Sequence, residues 1–595
     1  MKVIRFIEKA VSSLRTLIKN LLQATQATIR SRIRHIPQAL PKRRHEIIGD
    51  ILERATHQDT LHELSRESGI PLDHLEETFQ RYLREIAADL NYMTVPFWEL
   101  LVTWVFGAIY EGYEVDRASL DKIREINRQR PIIFAANHRS HMDYLLISYI
   151  LYRHHIPMPH VCAGANLSFW PMGWLFRKGG GFFIRRSYDG NKLYAYAVQA
   201  YIEELLRDRA NVEFFIEGTR SRTGKLLPPR MGILSAIVQA TINGAADDLL
   251  IVPTAVTYES VLEEKSYLQE QSGGVKKNES LWDLFRLQKY LRRRKGKVYI
   301  EFGEPISLQE FADQDFQDKK KEKIEDLAFE ITYGINKATV VTPASLVATA
   351  LLTHDRRSLS EEALNQKIEK YLDYLRFKEC RLSEPLQRYQ GNAIREALKY
   401  CVRNHWIEAY QDGGGLYRVK EECRPLIDYY KNTSISFFVS MGVLTTILIA
   451  SKTDVVSLSQ IEGDYQFLQN LLRYEFTFSW RRPLGEHLER LTNWTTLQTL
   501  PLLKDRRWES KNLIDFIQNQ GKLLFAKEEI SHLESVNKFT IENALRAFRD
   551  LGLVSEEKEG VGKKKRIFYR VEPGSNQLPK TQANRSTLLK LLVKN

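Results

Sequence analysis

Near the start of the chain, Ile4, Ile7, Val11, Leu14, Ile18 and Leu21 recur at spacings of three and four, with Lys9, Arg15 and Lys19 off that stripe. The pattern predicts a helix with one apolar face. Residues 45–90 keep the helical period with more polar faces. "YMTVPFWELLVTWVFGAIY", from Tyr92, is apolar nearly all round with Glu99 in its middle, and reads as a buried or interface-lying helix. Beyond residue 126 the period changes. Strand-length apolar runs ("PIIFAAN", "GGGFFIRR", "NVEFFIEG", "LLIVPTAVTYE", "KVYIEFGEPI") alternate with helical stretches ("YLLISYILYRHH", "NKLYAYAVQAYIEELLRDR", "GILSAIVQATING"). That alternation predicts an α/β fold, a largely parallel sheet flanked by helices.

The C-terminal third returns to helix and contains an internal echo. "ALKYCVRNHWIEAYQDGGGLYRV" from Ala397 and "ALRAFRDLGLVSEEKEGVGKKKRIFYRV" from Ala544 each read as a helix followed by a Gly-bearing hairpin ending in Tyr-Arg-Val, the outline of a winged-helix unit. At 595 residues the chain is too long for one core. The expected division is an amphipathic basic arm at 1–44, an N-terminal helical region at 45–125 and the α/β domain at 126–340. A helical region packed on that domain follows at 341–455, and a helical or winged-helix-like domain at 456–595. "SISFFVSMGVLTTILIA" (residues 434–450) sits at the short limit for a membrane span and carries three Ser and two Thr, so a core helix or a half-inserted segment is expected.

Charge changes the picture of the arm. The chain carries a net +13, and residues 1–44 alone hold eleven Lys or Arg against one acid, Glu8. A basic amphipathic arm predicts an anionic membrane surface as partner. Docking on the protein itself and a mitochondrial presequence are the alternatives, and a secretory signal is rejected. Four widely spaced cysteines form neither a metal knuckle nor a disulfide framework, which predicts a reducing compartment and no metal.

The candidate chemistry begins at "NHRSHMDYL", where His138 stands five residues before Asp143. With 14 histidines in the chain, about 0.7 such spacings arise by chance, and "HEIIGD" supplies one at His45 and Asp50. Five residues along a regular helix separate side chains by about 140°. His138 therefore meets Asp143 only if the histidine precedes the helix and the aspartate opens it. A carboxylate there would hold Nδ1–H and leave Nε2 as a general base, or the pair would be structural. Arg185 and Arg186 end a strand, and period two points them to opposite faces, so one is expected to enter a site. "FFIEGTRSRTGKLLPPRMG" puts Glu217 at a strand end, then Arg220, Arg222, Lys225 and Arg230 in a loop suited to a phosphate. Pro253, inside an apolar run that a central strand would avoid, is expected to floor a groove.

Four blocks, "NHRSHMD", "GGFFIRR", "FIEGTRSRTG" and "IVPTAVTYE", occur in the order in which the HX4D glycerol-phosphate acyltransferase superfamily carries them. The chain most resembles the membrane-associated glycerol-3-phosphate 1-O-acyltransferases, together with dihydroxyacetone-phosphate acyltransferases, over roughly residues 90–455. "FIRR" and "FIEGTRSR" are more similar to these first-step enzymes than to lysophosphatidate acyltransferases, which tend to "FIDR" and "FPEGTRS". The resemblance implies transfer of a long-chain acyl group from a thioester to the sn-1 hydroxyl of glycerol 3-phosphate, giving lysophosphatidate, with no acyl-enzyme. It implies His138 and Asp143 as the catalytic pair, and Arg139, Ser140, Arg185, Arg186, Glu217, Gly218, Arg220, Arg222, Lys225 and Pro253 around the substrate. It implies no bound cofactor, an acyl-CoA or acyl carrier protein thioester as substrate, and peripheral or monotopic attachment at the cytoplasmic face of the cell membrane. Dihydroxyacetone phosphate is the alternative acceptor. The basic arm and winged-helix outlines keep nucleic-acid binding as a distant rival.

Overall fold

A computed structural model describes residues 41–170, 172–186, 190–271, 295–311, 319–353, 358–410, 415–450 and 458–477, together with the short strands at 507–509, 554–559 and 566–571 and single residues at 542–550. The amphipathic stripe of the arm lies outside the described residues. Helices α1 (Arg44–Glu53), α2 (Ala55–Ser68), α3 (Leu72–Ile86) and α4 (Val95–Ile109) come first. α3 buries Leu75, Phe79, Leu83 and Ile86, a run of helical spacing that makes one packing face.

The α/β region follows as β1 (Gly112–Val115), α5 (Arg117–Gln129), β2 (Ile132–Ala136), α6 (Asp143–Arg153), β3 (His160–Gly164), α7 (Met172–Lys178), β4 (Gly181–Ile184), α8 (Lys192–Arg207), β5 (Val212–Phe215), α9 (Met231–Ile242), β6 (Leu250–Tyr258), α10 (Glu264–Gln271), β7 (Lys297–Phe302) and β8 (Ile306–Ser307). The strands form one sheet in the order β1-β7-β6-β2-β5-β3-β4, with β8 beside β6. All pairs are parallel except β6 with β7 and β6 with β8. Alternation decides the layers. Ile132, Phe134 and Ala136 of β2 enter one core with α4, α5 and α6, while Ile133 and Ala135 enter the other with α1, α3, α8 and α9.

Three details differ from the sequence reading. β1 lies in a segment assigned to the N-terminal helical region, so the sheet begins before residue 126. β3 carries no alternation of its own and is defined by its pairing with β4 and β5. Pro253 sits in a central strand, not an edge. Its carbonyl accepts from Gly303 N–H at 2.7 Å, so its missing N–H would point the same way, into the gap where β6's partner changes from β7 to β8. No ladder bond is lost. A Cβ on Gly334 would approach the Pro253 ring to within 2.6 Å, so the proline packs on a helix and floors no groove.

Beyond the sheet run α11 (Leu308–Phe311), α12 (Lys320–Ala338), α13 (Pro343–Leu352), β9 (Ser358–Ser360), α14 (Glu361–Phe377), α15 (Glu384–Arg388), α16 (Gln390–Arg403), β10 (Ile407–Tyr410), β11 (Leu416–Val419), α17 (Arg424–Asn432), α18 (Ser436–Ala450) and α19 (Leu458–Leu472). The last strands are β12 (Arg507–Glu509), β13 (Val554–Glu559) and β14 (Arg566–Val571). The echo is visible in strand pairing. In both three-stranded sheets the final strand is central, in the orders β10-β11-β9 and β12-β14-β13. Tyr417 lies opposite Leu359 and Val419 opposite Ile407; Tyr569 lies opposite Trp508 and Val571 opposite Val554. The two Tyr-Arg-Val segments thus hold the same register. The first unit shares the core of the α/β domain through Leu364, Leu372, Ile394 and Leu398. Val439, Val443 and Ile447 of α18 are buried at intervals of four, and among the described residues no helix is long and apolar enough to cross a membrane.

Candidate active site

The ladder of β2 runs past its last strand residue. Asn137 places its side-chain amide against β6, donating from Nδ2 to Val256 O at 3.0 Å and accepting at Oδ1 from Val256 N–H at 2.7 Å. The chain then turns sharply, and Asp143 opens α6. Its Oδ2 accepts from the backbone N–H of Arg139 (2.6 Å) and Ser140 (2.9 Å) and from His138 Nδ1 (2.8 Å); its Oδ1 accepts from the Tyr258 hydroxyl (2.6 Å). Histidine before the helix and aspartate on its first turn is the one arrangement in which this spacing closes. The His45 copy lies wholly within regular helix α1, and its Asp50 pairs with Lys42 instead.

Strand β5 supplies the opposite wall. Period two sends Phe214 and Ile216 into the core and turns Phe215 and Glu217 toward the site. The Phe215 ring stacks on His138 with centroids 4.2 Å apart. Glu217 is fully buried. Oε1 accepts from His138 N–H at 2.7 Å and Oε2 from Leu227 N–H at 2.9 Å, so this carboxyl clamps the His138 turn to the loop after β5. Burial pushes it up to about 7, against the two N–H donors and the Arg139 charge, which favour the carboxylate. His138 titrates below the ordinary histidine value, because burial outweighs Asp143 and the Arg220 charge adds to the depression. A neutral imidazole with Nδ1–H held by a carboxylate presents Nε2 as an acceptor.

The basic loop folds back over the histidine, with Ser221 N–H donating to His138 O at 2.9 Å. Gly218 takes a φ of +63° in its turn. Gly224, at +81°, lies so close to α17 that a Cβ would be 2.1 Å from Tyr429 O. The predicted cations separate into groups. Arg220 is buried beside Glu263 Oε1 (3.3 Å) and the Tyr267 hydroxyl (3.2 Å), near enough to His138 and His141 to lower both. Arg222 is half-buried next to it, its Nη1 3.4 Å from Arg220 O. Arg139 Nη1 donates to Lys225 O at 2.7 Å, and Ser140 Oγ to Glu263 Oε1 at 3.1 Å. Lys225 reaches away to Glu475 Oε2, 3.0 Å distant, under the Phe476 ring.

Arg185 is not brought to this cluster. It forks onto both Glu85 oxygens (2.8 and 2.6 Å) and lies over the Tyr82 and Tyr194 rings, a bond to α3 that β4's register dictates. Arg186 is exposed at the strand end. On the other side of His138, Tyr144 stands between the imidazole (5.9 Å) and the Phe176 ring (6.3 Å). There begins an apolar pocket lined by α4, α6 and the ends of β3 and β4, including Trp98, Val102, Leu145, Ser148, Met158 and Phe176.

Residues 117–257 match the family described as acyltransferase, and residues 267–493 the glycerol-3-phosphate acyltransferase C-terminal region. Among curated relatives, the glycerol-3-phosphate acyltransferase of Pasteurella multocida (strain Pm70) is 32% identical over 73% of this chain and 55% of its own length. Those of Pseudomonas aeruginosa (strain UCBPP-PA14) and Haemophilus ducreyi are 32% and 33% identical over 68% and 70% of this chain and 49% and 53% of their own. The chain thus spans about half the length of the curated relatives it matches. A solved structure, the 1-acyl-sn-glycerophosphate (LPA) acyltransferase PlsC from Thermotoga maritima, is 20% identical, covers 40% of this chain and 77% of that one, and has a TM-score of 0.24.

Sequence reading of the α/β region missed Tyr258, Glu263, Tyr267 and Phe215. Phe215 and Tyr258 had a signal, since period two from buried strand positions turns each to the site side. Glu263 and Tyr267 had none. Glu263 joins Ser140, His141 N–H and Arg220, and Tyr267 donates to Arg139 O at 2.7 Å, contacts that only the packing of α10 creates.

Proposed function

We propose that this protein transfers a long-chain acyl group from an acyl thioester to the sn-1 hydroxyl of glycerol 3-phosphate, giving lysophosphatidate. The observation that carries the reading is the 2.8 Å contact of His138 Nδ1 with Asp143 at the strand end, between a cationic loop and an apolar pocket. The hydroxyl oxygen attacks the thioester carbonyl while His138 Nε2 accepts its proton. The C–O bond forms, the tetrahedral oxyanion collapses, the C–S bond breaks, and the imidazolium returns the proton to the leaving sulfur. Asp143 fixes the tautomer and stabilises the transient imidazolium. Direct transfer needs no acyl-enzyme, and the thioester, of coenzyme A or a carrier protein, is a substrate and not a resident cofactor.

Arg220 and Arg222 supply charge beside the histidine for the acceptor's phosphate, and the pocket beyond Tyr144 takes the acyl chain. Such positioning contributes alongside the base. The chain works at a membrane as a peripheral or monotopic protein on its cytoplasmic face, with the basic arm drawn to anionic lipid. Purified protein supplied with a labelled long-chain acyl-CoA is the test. Formation of 1-acyl lysophosphatidate from glycerol 3-phosphate, faster than acylation of dihydroxyacetone phosphate, is expected. Acylation of lysophosphatidate alone would overturn the assignment.

A further inference from the structure

Helix α4 is apolar on its inward face, where Val95, Trp98, Val102, Phe106 and Ile109 are buried, and also on its outward face. There Phe97 and Trp104 are 40% and 48% exposed, with half-buried Leu100 and Leu101 between them, and Met93, two residues before the helix, is 66% exposed. A helix apolar all round is ordinarily covered on all sides. Its one acid, Glu99, turns inward to within 3.9 Å of Arg153, so no charge interrupts the outer stripe. Beside it the segment before and within α7 exposes Phe169, Trp170 (86%) and Trp174 (59%). The two segments are joined: the Trp98 and Phe176 rings stack at 6.1 Å, and Asn91 N–H donates to Lys178 O at 3.1 Å. Six of the eleven exposed large apolar side chains among the described residues fall in these two stretches, which makes a patch and not a scatter.

The same two segments, with Trp98, Glu99, Leu167 and Phe176, line the apolar pocket that leads to Tyr144. We infer that α4 and the Phe169–Trp174 segment form the face on which the protein sits in a lipid bilayer, with the pocket opening toward the acyl chains. Three observations favour lipid over a second copy of the chain. The exposed side chains include three tryptophans, Trp104, Trp170 and Trp174, a residue type enriched at membrane interfaces. The patch is continuous with a pocket whose occupant, on the function proposed above, is itself a lipid chain. α4 has 15 residues, too few to span, and lies along the surface as an interfacial helix does. The inference rests on that proposed function for the identity of the pocket's occupant.

The test uses the full chain and uncharged phosphatidylcholine vesicles, which give the basic arm little to bind. Wild-type protein is expected to float with the vesicles. Its tryptophan fluorescence should be quenched by phosphatidylcholine brominated on the acyl chains, a measurement that needs no variant. The triple variant Trp104→Ser, Trp170→Ser, Trp174→Ser is expected to partition at least tenfold less, and Phe377→Ser with Tyr389→Ser, exposed elsewhere, not at all differently. Absence of flotation, absence of quenching, or unchanged partitioning of the triple variant would overturn the inference. So would a lipid-free dimer that the triple variant dissociates without loss of vesicle binding. Flotation is read without turnover, so a protein that floats but transfers no acyl group refutes the proposed function and leaves the docking face standing.

Discussion

The imidazole of His138 is held on three sides: by Asp143 at Nδ1, by Phe215 across its face, and by Glu217 through its own backbone N–H. If it is the base, His138→Ala should lower kcat by about 10²–10⁴-fold with the fold intact. His45→Ala, at an exposed position of α1, should leave kcat within twofold. Retention of more than about a tenth of wild-type kcat would return His138 to a structural role. Asp143→Asn should fall between the two, since an amide can offer Nδ1 the wrong group. The pH profile has a definite sign. A base must be neutral to act, and burial lowers the His138 pKa, so kcat/KM should fall on acidification only below the ordinary histidine value of about 6.5. An acid limb centred above it would contradict the buried, depressed imidazole.

Elements decide which arginine does what. The loop after β5 carries Arg220 toward His138 and Arg222 toward His141, whereas β4 carries Arg185 to Glu85 on α3. Arg222→Ala should therefore raise KM for glycerol 3-phosphate far more than KM for the acyl donor. The loss in kcat/KM should be roughly ten- to a hundredfold, the worth of a charged hydrogen bond of about 1.5–3 kcal/mol. Arg185→Ala should lower Tm and move the two KM values together; a selective effect on the acceptor would mean that this residue also reaches substrate. The pocket on α6 offers a separate readout. Ser148 Oγ is buried there with no hydrogen-bond partner among the described residues, so Ser148→Phe fills apolar space without removing a bond seen among them. It should shift preference to shorter acyl chains at unchanged acceptor KM. An unaltered chain-length profile would place the acyl group elsewhere.

Across the whole molecule, the buried pair Lys225–Glu475 ties the loop beside the histidine to the end of α19, 250 residues away. Removing one charge of a buried pair costs roughly 3–5 kcal/mol. Glu475→Ala should accordingly lower the unfolding midpoint and weaken acceptor binding together, whereas an effect on stability alone would show that the C-terminal part only props the loop. The chain pattern by itself determined the α/β core, since short apolar runs such as β2, buried on both faces, alternate with amphipathic helices that must cover them. It also determined the two Tyr-Arg-Val hairpins and, through a strand end followed by a helix start, the meeting of His138 with Asp143. Spacing along the chain says nothing about partners brought from afar. That β1 joins the sheet, that Pro253 falls opposite a gap in the ladder, that Arg185 is spent on Glu85, and that Tyr258 and Glu263 complete the turn were all decided by tertiary packing. Each depends on which atoms stand within about 3 Å across elements, and hydrogen bonds and ion pairs are fixed at that range.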